Sequence, residues 1–172
     1  IDTINMAEYG RMFFGNTATV ISPNDSYSLA LEDELKWKVY PSAWKQIYTR
    51  ILLNKVRNYE KTIYPLFNRC HVVSDVDAQY LRRLDKRIRI VTIPNGVDLD
   101  YFRPYDTESD GKTCLFVGNL GAGNGRYVEI FVDTVWRKLM KKHPNSKLLL
   151  VGKGIKASLK NMCSKIGGIE YL

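Results

Sequence analysis

Two glycine-rich segments contain the residues whose types and spacing are best suited to chemistry. The first runs from Gly118 to Gly125 and contains four glycines, and the second is Gly152-Lys153-Gly154. Backbone N–H groups in a glycine-rich loop before a helix can approach a phosphate closely and donate hydrogen bonds to it. Both segments therefore predict phosphate binding, with an ordinary strand-to-helix turn as the alternative for each.

A third segment of interest is Pro94-Asn95-Gly96-Val97-Asp98, which continues to Phe102-Arg103-Pro104. Pro94 has no N–H to donate, so it ends the preceding strand. Asn95-Gly96 predicts a turn because both residues tolerate positive φ. We expect Asp98 to fix the next turn by accepting backbone hydrogen bonds, and Tyr101 and Phe102 to anchor the loop. By residue chemistry alone, this is a turn that leaves a strand.

The elements around these segments predict an α/β fold with parallel sheets. Ser74 is a suitable N-cap for a helix that ends near Leu84, and Asp77 is its acidic capping partner. Strands that alternate with helices over short connections imply right-handed βαβ units. Apolar and β-branched runs predict strands over residues 17–22, 70–73, 88–93, 113–117 and 147–151.

A polar stretch over residues 103–112 divides the chain into two regions. It contains proline and glycine and has no periodicity, which is typical of a linker. The region before it mixes short strands with long helices, and the region after it alternates strand and helix regularly.

One long amphipathic helix is predicted over residues 42–66. Its apolar residues recur at steps of three and four and form one stripe, with most basic residues off the stripe. The stripe either faces the core, or it docks on a membrane surface or a partner. It consists of Trp44, Ile47, Tyr48, Ile51, Leu52, Val56, Tyr59 and Ile63.

The composition excludes several classes of protein. Of the 172 residues, 45% are hydrophobic and 26% charged, as in a globular protein with a packed core. The net charge of +8 suits a phosphorylated ligand or an anionic membrane, whereas its spread along helical segments argues against nucleic acid. Cys70, Cys114 and Cys163 lack metal-site spacing, so we expect no metal and three buried free thiols in a reducing compartment.

Taken in order, these segments resemble the retaining GT-B glycosyltransferases of family four. The segment from Pro94 to Pro104 resembles the hinge between the two Rossmann-like domains of that family. Further steps over residues 72–77, 115–119 and 136–154 agree in order, so the resemblance covers residues 70–154. Residues 17–69 fit more loosely, through Asp25-Ser26 after a strand and Tyr59-Glu60 near the end of a long helix.

The resemblance implies transfer of a sugar from a nucleotide-sugar, a UDP- or GDP-sugar, to a glycan or lipid-linked acceptor with retention. Such enzymes make glycans, glycolipids or polysaccharides without a metal or other cofactor, here in the cytoplasm or at the inner face of the membrane. Residues 1–104 would be the C-terminal part of the acceptor-side Rossmann-like domain with the hinge, and residues 105–172 the first part of the donor domain.

The resemblance also assigns the site residues. Asp25 matches the catalytic position of the acceptor domain, and the hinge comprises Pro94, Asn95, Gly96 and Asp98. Donor binding falls to the two glycine segments and one neighbouring arginine, namely Gly118, Asn119, Gly121, Gly123, Asn124, Arg126, Gly152, Lys153 and Gly154.

This chain departs from the family pattern at several of these positions. Asn119 and Asn124 stand where many members carry Arg and Lys, so we expect Arg126 to supply the positive charge. No histidine accompanies Asp25, and His71 and His143 are expected to be structural. The family's paired glutamates are absent. These departures predict an internal fragment of a longer enzyme that is inactive alone.

Two other classes of function are alternatives. Residues 152–157 fit the dinucleotide pattern G-x-G-x-x-A after a strand, and Glu170 follows at about the spacing of the acid that binds a ribose. This pattern favours a nicotinamide-dependent Rossmann protein. A nonenzymatic nucleotide-binding or interaction module is the other alternative.

Overall fold

A computed structural model describes residues 3–40, 42–104 and 108–172 of the chain. The chain divides into two compact units, Ile1–Arg103 and Pro104–Leu172. The division falls within the predicted linker, of which residues 105–107 lie outside the described residues.

Unit 1 contains a three-stranded parallel sheet within its described residues. The strands are β1 (Val20–Asn24), β2 (Arg69–Val72) and β3 (Ile90–Thr92), in the order β1-β2-β3. Short 3-10 turns occupy Ile4–Met6, Arg11–Phe13 and Tyr64–Leu66. The helices are α1 (Ala7–Gly10), α2 (Tyr27–Lys36), α3 (Ala43–Ile63) and α4 (Asp75–Leu84).

Unit 2 repeats the architecture over its described part. Its strands are β4 (Thr113–Val117), β5 (Lys147–Val151) and β6 (Ile169–Tyr171), all parallel and in the order β4-β5-β6. Its helices are α5 (Ala122–Phe131), α6 (Arg137–Lys142) and α7 (Ala157–Lys165), with a π-helical stretch, Val132–Trp136, joining the first two. Two parallel sheets with flanking helices confirm the α/β class and are compatible with a Rossmann-like fold.

The strands predicted over residues 113–117 and 147–151 are confirmed, but β1 is displaced from residues 17–22. A strand extends only where a partner pairs with it, and β2 begins at Arg69, opposite Val20. Pro23 lies inside β1. The missing N–H is tolerated there because β1 is an edge strand of the described sheet.

The apolar stripe of α3 does not face the core along its whole length, which corrects the core-facing prediction. Val56 and Ile63 are buried, but Trp44 and Tyr48 are 77% and 65% exposed, and Ile47 and Ile51 are also exposed. The buried face consists instead of Thr49, Leu53, Val56, Glu60 and Ile63. Packing of α2 on α3 decides this rotation, since Leu31 forms a cluster with Leu53 and Val56.

Each unit has its own hydrophobic core. In unit 1, Ile21, Cys70 and Val72 of the sheet pack against Tyr64 and Leu81. In unit 2, Leu148 and Leu150 of β5 pack against the wholly buried Trp136 and Leu159. Strands and helices therefore bury their apolar sides within each unit.

The prediction of three buried thiols is wrong for one of them. Cys70 and Cys163 are buried, and burial raises the pKa of Cys70 to about 12 and that of Cys163 above its ordinary value. Cys114 is exposed because β4 lies at the edge of the sheet in the part of unit 2 that the structure describes.

Candidate functional site

The two glycine segments pack against each other where β4 and β5 end. The N–H of Leu120 donates to the carbonyl oxygen of Lys153 at 2.8 Å, and that of Gly118 donates to Val151 at 2.9 Å. Because β4 and β5 are parallel neighbours, their carboxyl ends lie at one edge of the sheet, which is where α/β sheets bind ligands. The structure thus brings the two predicted donor-binding segments together.

The close approach of these loops explains two of the glycines. A Cβ atom on Gly152 would lie 1.8 Å from the carbonyl oxygen of Gly118, and Gly152 has a φ of 146°. A Cβ on Gly154, at φ 86°, would lie 3.0 Å from the nitrogen of Gly121. Loop packing therefore requires glycine at both positions, whether or not a ligand binds.

Asn119 has a structural role in the first loop. Its Oδ1 accepts a hydrogen bond from the Gly121 N–H at 2.8 Å, which closes the turn. This bond occupies the Gly121 amide, as the Lys153 carbonyl occupies the amide of Leu120. The donors left for a ligand include those farther along, in the first turn of α5.

The N-terminus of α5 is open. Its N-cap is Gly121, which has no side chain to cap the helix, and Gly123 and Asn124 lie in the first turn. First-turn amides have no partner within a helix, and the helix dipole favours an anion there. A Cβ on Gly123 would meet nothing within 4 Å, so the space beside this turn is open.

The N-terminus of α7, in the same unit, also lacks a side-chain cap. Lys156 is the N-cap of α7 and makes no capping hydrogen bond. In unit 1, by contrast, the two helices that follow a strand are capped, since Ser26 accepts from Leu29 N–H at the start of α2 and Ser74 accepts from Asp77 N–H at the start of α4. Two uncapped N-termini at one edge of the sheet could together bind an anionic group such as a diphosphate.

Arg126 is engaged by an acid within unit 2. Its Nη1 donates to Glu129 Oε2 at 2.8 Å, and Ser158 donates to Glu129 Oε1 at 2.6 Å. Burial opposes ionisation of Glu129, but the hydrogen bonds from Ser158 and Arg126 outweigh it and lower the pKa of Glu129. Part of the Arg126 charge is thereby neutralised, whereas Lys153 has an exposed side chain beside the loops.

In unit 1, the predicted catalytic residue Asp25 is exposed and follows β1 directly. The residue before it, Asn24, has φ 66°, so the chain turns sharply there. His71 lies in β2, where its Nδ1 is 2.8 Å from Ser22 Oγ and its Nε2 is 3.0 Å from the carbonyl oxygen of Ile93. These contacts tie neighbouring segments together, as the predicted structural role requires.

A buried polar network begins at Ser26, the residue after Asp25, and the sequence patterns did not reveal it. Glu60 of α3 is wholly buried, and its Oε1 accepts hydrogen bonds from Ser26 Oγ and Ser28 N–H, both at 3.3 Å. Ser28 Oγ donates to the other oxygen, Oε2. Burial raises the pKa of Glu60, although these hydrogen bonds oppose the shift.

Asp77 completes this network, and its hydrogen bonds differ from the predicted capping role. Asp77 Oδ1 accepts from the Ser26 N–H at 2.8 Å, and Oδ2 accepts from Ser74 Oγ. The acid thus reaches across to the start of α2 instead of returning to the Ser74 amide. The one available signal was Glu60 itself, a charged residue at an apolar spacing in α3.

The segment after β3 differs in part from its prediction. Neither Asn95 nor Gly96 adopts positive φ, so the turn predicted there is wrong. The turn forms later, where Asp98 Oδ1 accepts from the N–H groups of Asp100 and Tyr101, both at 3.0 Å. Tyr101 and Phe102 do not anchor this segment, because both are exposed and pack edge to face on each other. Pro94 follows the strand as predicted.

An apolar groove of about 370 Å³ lies apart from the glycine loops of unit 2. It is lined by residues of β4, β5 and α5, including Cys114, Phe116 and Phe131. Its lining offers almost no polar group, so it does not suit a phosphorylated ligand.

Metal sites and membrane-spanning helices are both lacking among the described residues. No cluster of three or more His, Cys, Asp or Glu side chains within them could hold a metal ion. None of their helices is both long and apolar enough to cross a bilayer. In comparison with known proteins, no protein-family model matches the chain, and no curated protein matches it significantly.

Proposed function

We propose that the chain belongs to a retaining GT-B glycosyltransferase and that unit 2 binds the diphosphate of a nucleotide-sugar. The observation that supports this most is the pair of glycine loops, packed together beside two uncapped helix N-termini. A diphosphate is the anionic part that UDP- and GDP-sugars share. The net charge of +8 also favours an anionic ligand.

The proposed chemistry is stabilisation of a leaving nucleoside diphosphate. As the bond to the sugar breaks, negative charge develops on the phosphate, and fixed donors aimed at that charge lower the barrier. Gly123 and Asn124 would donate backbone N–H groups from the first turn of α5. Lys153, with its exposed side chain, would add positive charge, while Arg126 shares its charge with Glu129.

Unit 1 would bind the glycan or lipid-linked acceptor. Asp25 is the candidate for a catalytic group there, and Ser26, Glu60 and Asp77 hold the backbone that follows Asp25. Pro94, Asn95, Gly96 and Asp98 would form the hinge. The buried thiols of Cys70 and Cys163 are compatible with a reducing compartment such as the cytoplasm.

Nucleotide binding by the chain tests the proposal directly. We expect UDP or GDP, but not NAD, to raise the melting temperature. The variant Gly123→Asp places a carboxylate in open space beside the first turn of α5, where it repels a phosphate. It should weaken nucleotide binding by at least about tenfold, because a repulsion of about 1.4 kcal/mol between like charges lowers the affinity tenfold.

Gly167→Asp is the matched control. A Cβ atom on Gly167 would likewise meet nothing within 4 Å, but this residue precedes β6, at the opposite edge of the sheet. The variant should bind nucleotide like the wild type. A shift with NAD alone would support the dinucleotide alternative, and no shift with any nucleotide would contradict a nucleotide-binding function.

A further inference from the structure

Helix α3 has a second apolar face, which is exposed. Trp44, Ile47, Tyr48 and Ile51 lie on it and are each between 49% and 77% exposed. We call these four residues the exposed strip. Their spacing of three and four residues places them side by side on one face of the helix.

The exposed strip lies away from the buried face of the same helix. At about 100° per residue, the strip and the buried positions 49, 53, 56, 60 and 63 are centred roughly 150° apart. The strip is therefore not the edge of the buried face. It is a separate apolar surface, and exposed aromatic residues in such an array mark interaction sites.

The surroundings of the strip carry an excess of basic residues, although Glu34 of α2 lines the same cavity as Lys45 and Tyr48. From Lys36 to Tyr59 the sequence contains six basic residues and no acidic one. Arg57 pairs with Glu32 of α2, which leaves Lys36, Lys38, Lys45, Arg50 and Lys55 to give this region its charge. Unit 1 thus combines Trp and Tyr side chains with a local excess of positive charge.

Two of these basic residues lie over aromatic rings of unit 1. Lys45 Nζ lies 5.4 Å from the ring centre of Tyr40, and Lys36 Nζ lies 5.4 Å from that of Trp37. Trp37 is itself 52% exposed at the end of α2, and Tyr40, Lys45 and Tyr48 line one shallow cavity. Tyr40, Lys45 and Tyr48 therefore belong to one surface.

The positive charge of this surface indicates what it binds. A second copy of the chain would bring the same basic residues together, and like charges oppose such contact. An anionic bilayer instead attracts lysine and arginine, while Trp and Tyr insert at the level of the headgroups. We propose that the exposed strip of α3 docks unit 1 on the surface of a bilayer that contains anionic phospholipids.

Vesicle binding tests this proposal with the full chain. Vesicles of equal parts phosphatidylcholine and phosphatidylglycerol are compared with vesicles of phosphatidylcholine alone in a sedimentation assay. We expect binding to the anionic vesicles, weakened by high salt, and little to the neutral ones. The double variant Trp44→Ala, Tyr48→Ala removes two exposed side chains and should lower partitioning by about tenfold or more.

The contribution of the basic residues to vesicle binding is tested with the double variant Arg50→Glu, Lys55→Glu. Each basic residue near an anionic surface contributes about 1 kcal/mol, or about fivefold in partitioning, so reversing two should lower it by more than about tenfold. The matched control is Arg82→Glu, Lys86→Glu, which makes the same charge change at exposed positions outside α3. It should lower binding much less. Circular dichroism checks that each variant is folded.

Three results would overturn the proposal. One is binding by the Trp44→Ala, Tyr48→Ala variant that equals the wild type, and another is equal binding to neutral and anionic vesicles. The third is no vesicle binding by the wild type. Self-association in sedimentation velocity that the same variant abolishes would then assign the strip to a second copy, and no self-association would assign it to another protein.

Discussion

At the scale of single residues, Gly152 shows how a glycine can be required without any ligand. Its backbone conformation, φ 146°, is one that side chains rarely adopt, and the Gly118 carbonyl oxygen occupies the space of a Cβ atom. Gly123 differs in both respects, since it lies in helix α5 beside open space. Packing therefore requires glycine at position 152, whereas at position 123 the packing would accept a side chain.

Alanine substitution tests this difference between the two glycines. We expect Gly152→Ala to lower the free energy of unfolding of unit 2 by on the order of 3 kcal/mol, because a backbone atom must move. Gly123→Ala, in the first turn of α5, should be neutral or stabilising by less than the roughly 1 kcal/mol of a helix interior. Fluorescence of Trp136, wholly buried in unit 2, reports the transition. Equal stability of the two variants would contradict the loop contact.

Glu60 is the residue of unit 1 whose titration should affect stability. Burial raises its pKa above the ordinary 4.5. As the pH rises, the unfolded chain releases the proton first, so the native state binds more protons in this window. The contribution of Glu60 to stability is therefore complete below pH 4.5 and is lost as the pH rises through the raised pKa.

The variant Glu60→Gln tests this sign. The wild type should lose stability relative to the variant as the pH rises from below 4.5 towards neutrality, measured by urea unfolding at each pH. Glu170→Gln, which alters an exposed carboxylate of β6, serves as the control. A wild type that gains stability relative to Glu60→Gln over this range would show that Glu60 is stabilised in its charged form.

At the scale of elements, the N-termini of the helices that directly follow a strand distinguish the two units, although α3 of unit 1, which follows α2, also lacks a side-chain cap. Both α2 and α4 are capped by serine side chains, whereas α5 and α7 are not. A cap satisfies an amide that would otherwise be available to a ligand. Unit 1 uses these amides for stability, and unit 2 leaves them available for the anion that we propose.

The contribution of the α4 cap to the free energy of unfolding can be compared with that of an N-cap serine that makes no capping hydrogen bond. Ser74→Ala removes the oxygen that accepts from Asp77 N–H and should lower the free energy of unfolding by about 1–2 kcal/mol. Ser42→Ala, at the N-cap of α3, removes no capping hydrogen bond and should cost much less. Chemical denaturation of both variants checks this, and equal losses would contradict the capping role.

At the scale of the whole molecule, the chain consists of two units with separate cores. Ile21, Tyr64 and Leu81 belong to one core, and Leu150 and Trp136 to the other. A unit with its own core can open without the other. A destabilising substitution should therefore act within its own unit.

Hydrogen exchange measured by mass spectrometry tests this independence. Gly152→Ala should speed exchange in peptides from residues 113–172 and leave those from residues 20–92 unchanged. Ser74→Ala should do the reverse. Faster exchange throughout the chain in either variant would indicate that the units unfold as one.

The sequence by itself determined the features that depend on neighbours along the chain. The apolar runs over residues 113–117 and 147–151, each followed by a glycine loop, predicted the two strands, and Ser74 caps its helix through local geometry. Asp98 likewise fixes the turn that follows it. The contacts of the cap and of the turn span only a few residues.

Only the tertiary structure decided what depends on distant parts of the chain. Packing of α2 selected the buried face of α3 and left the exposed strip outside, and β2 set where β1 begins. Glu60 meets Ser28 across 32 residues, and Gly152 meets Gly118 across the gap between two strands. Such contacts leave little trace in local patterns, because hydrophobic burial is non-directional and many pairings satisfy the same periodicity.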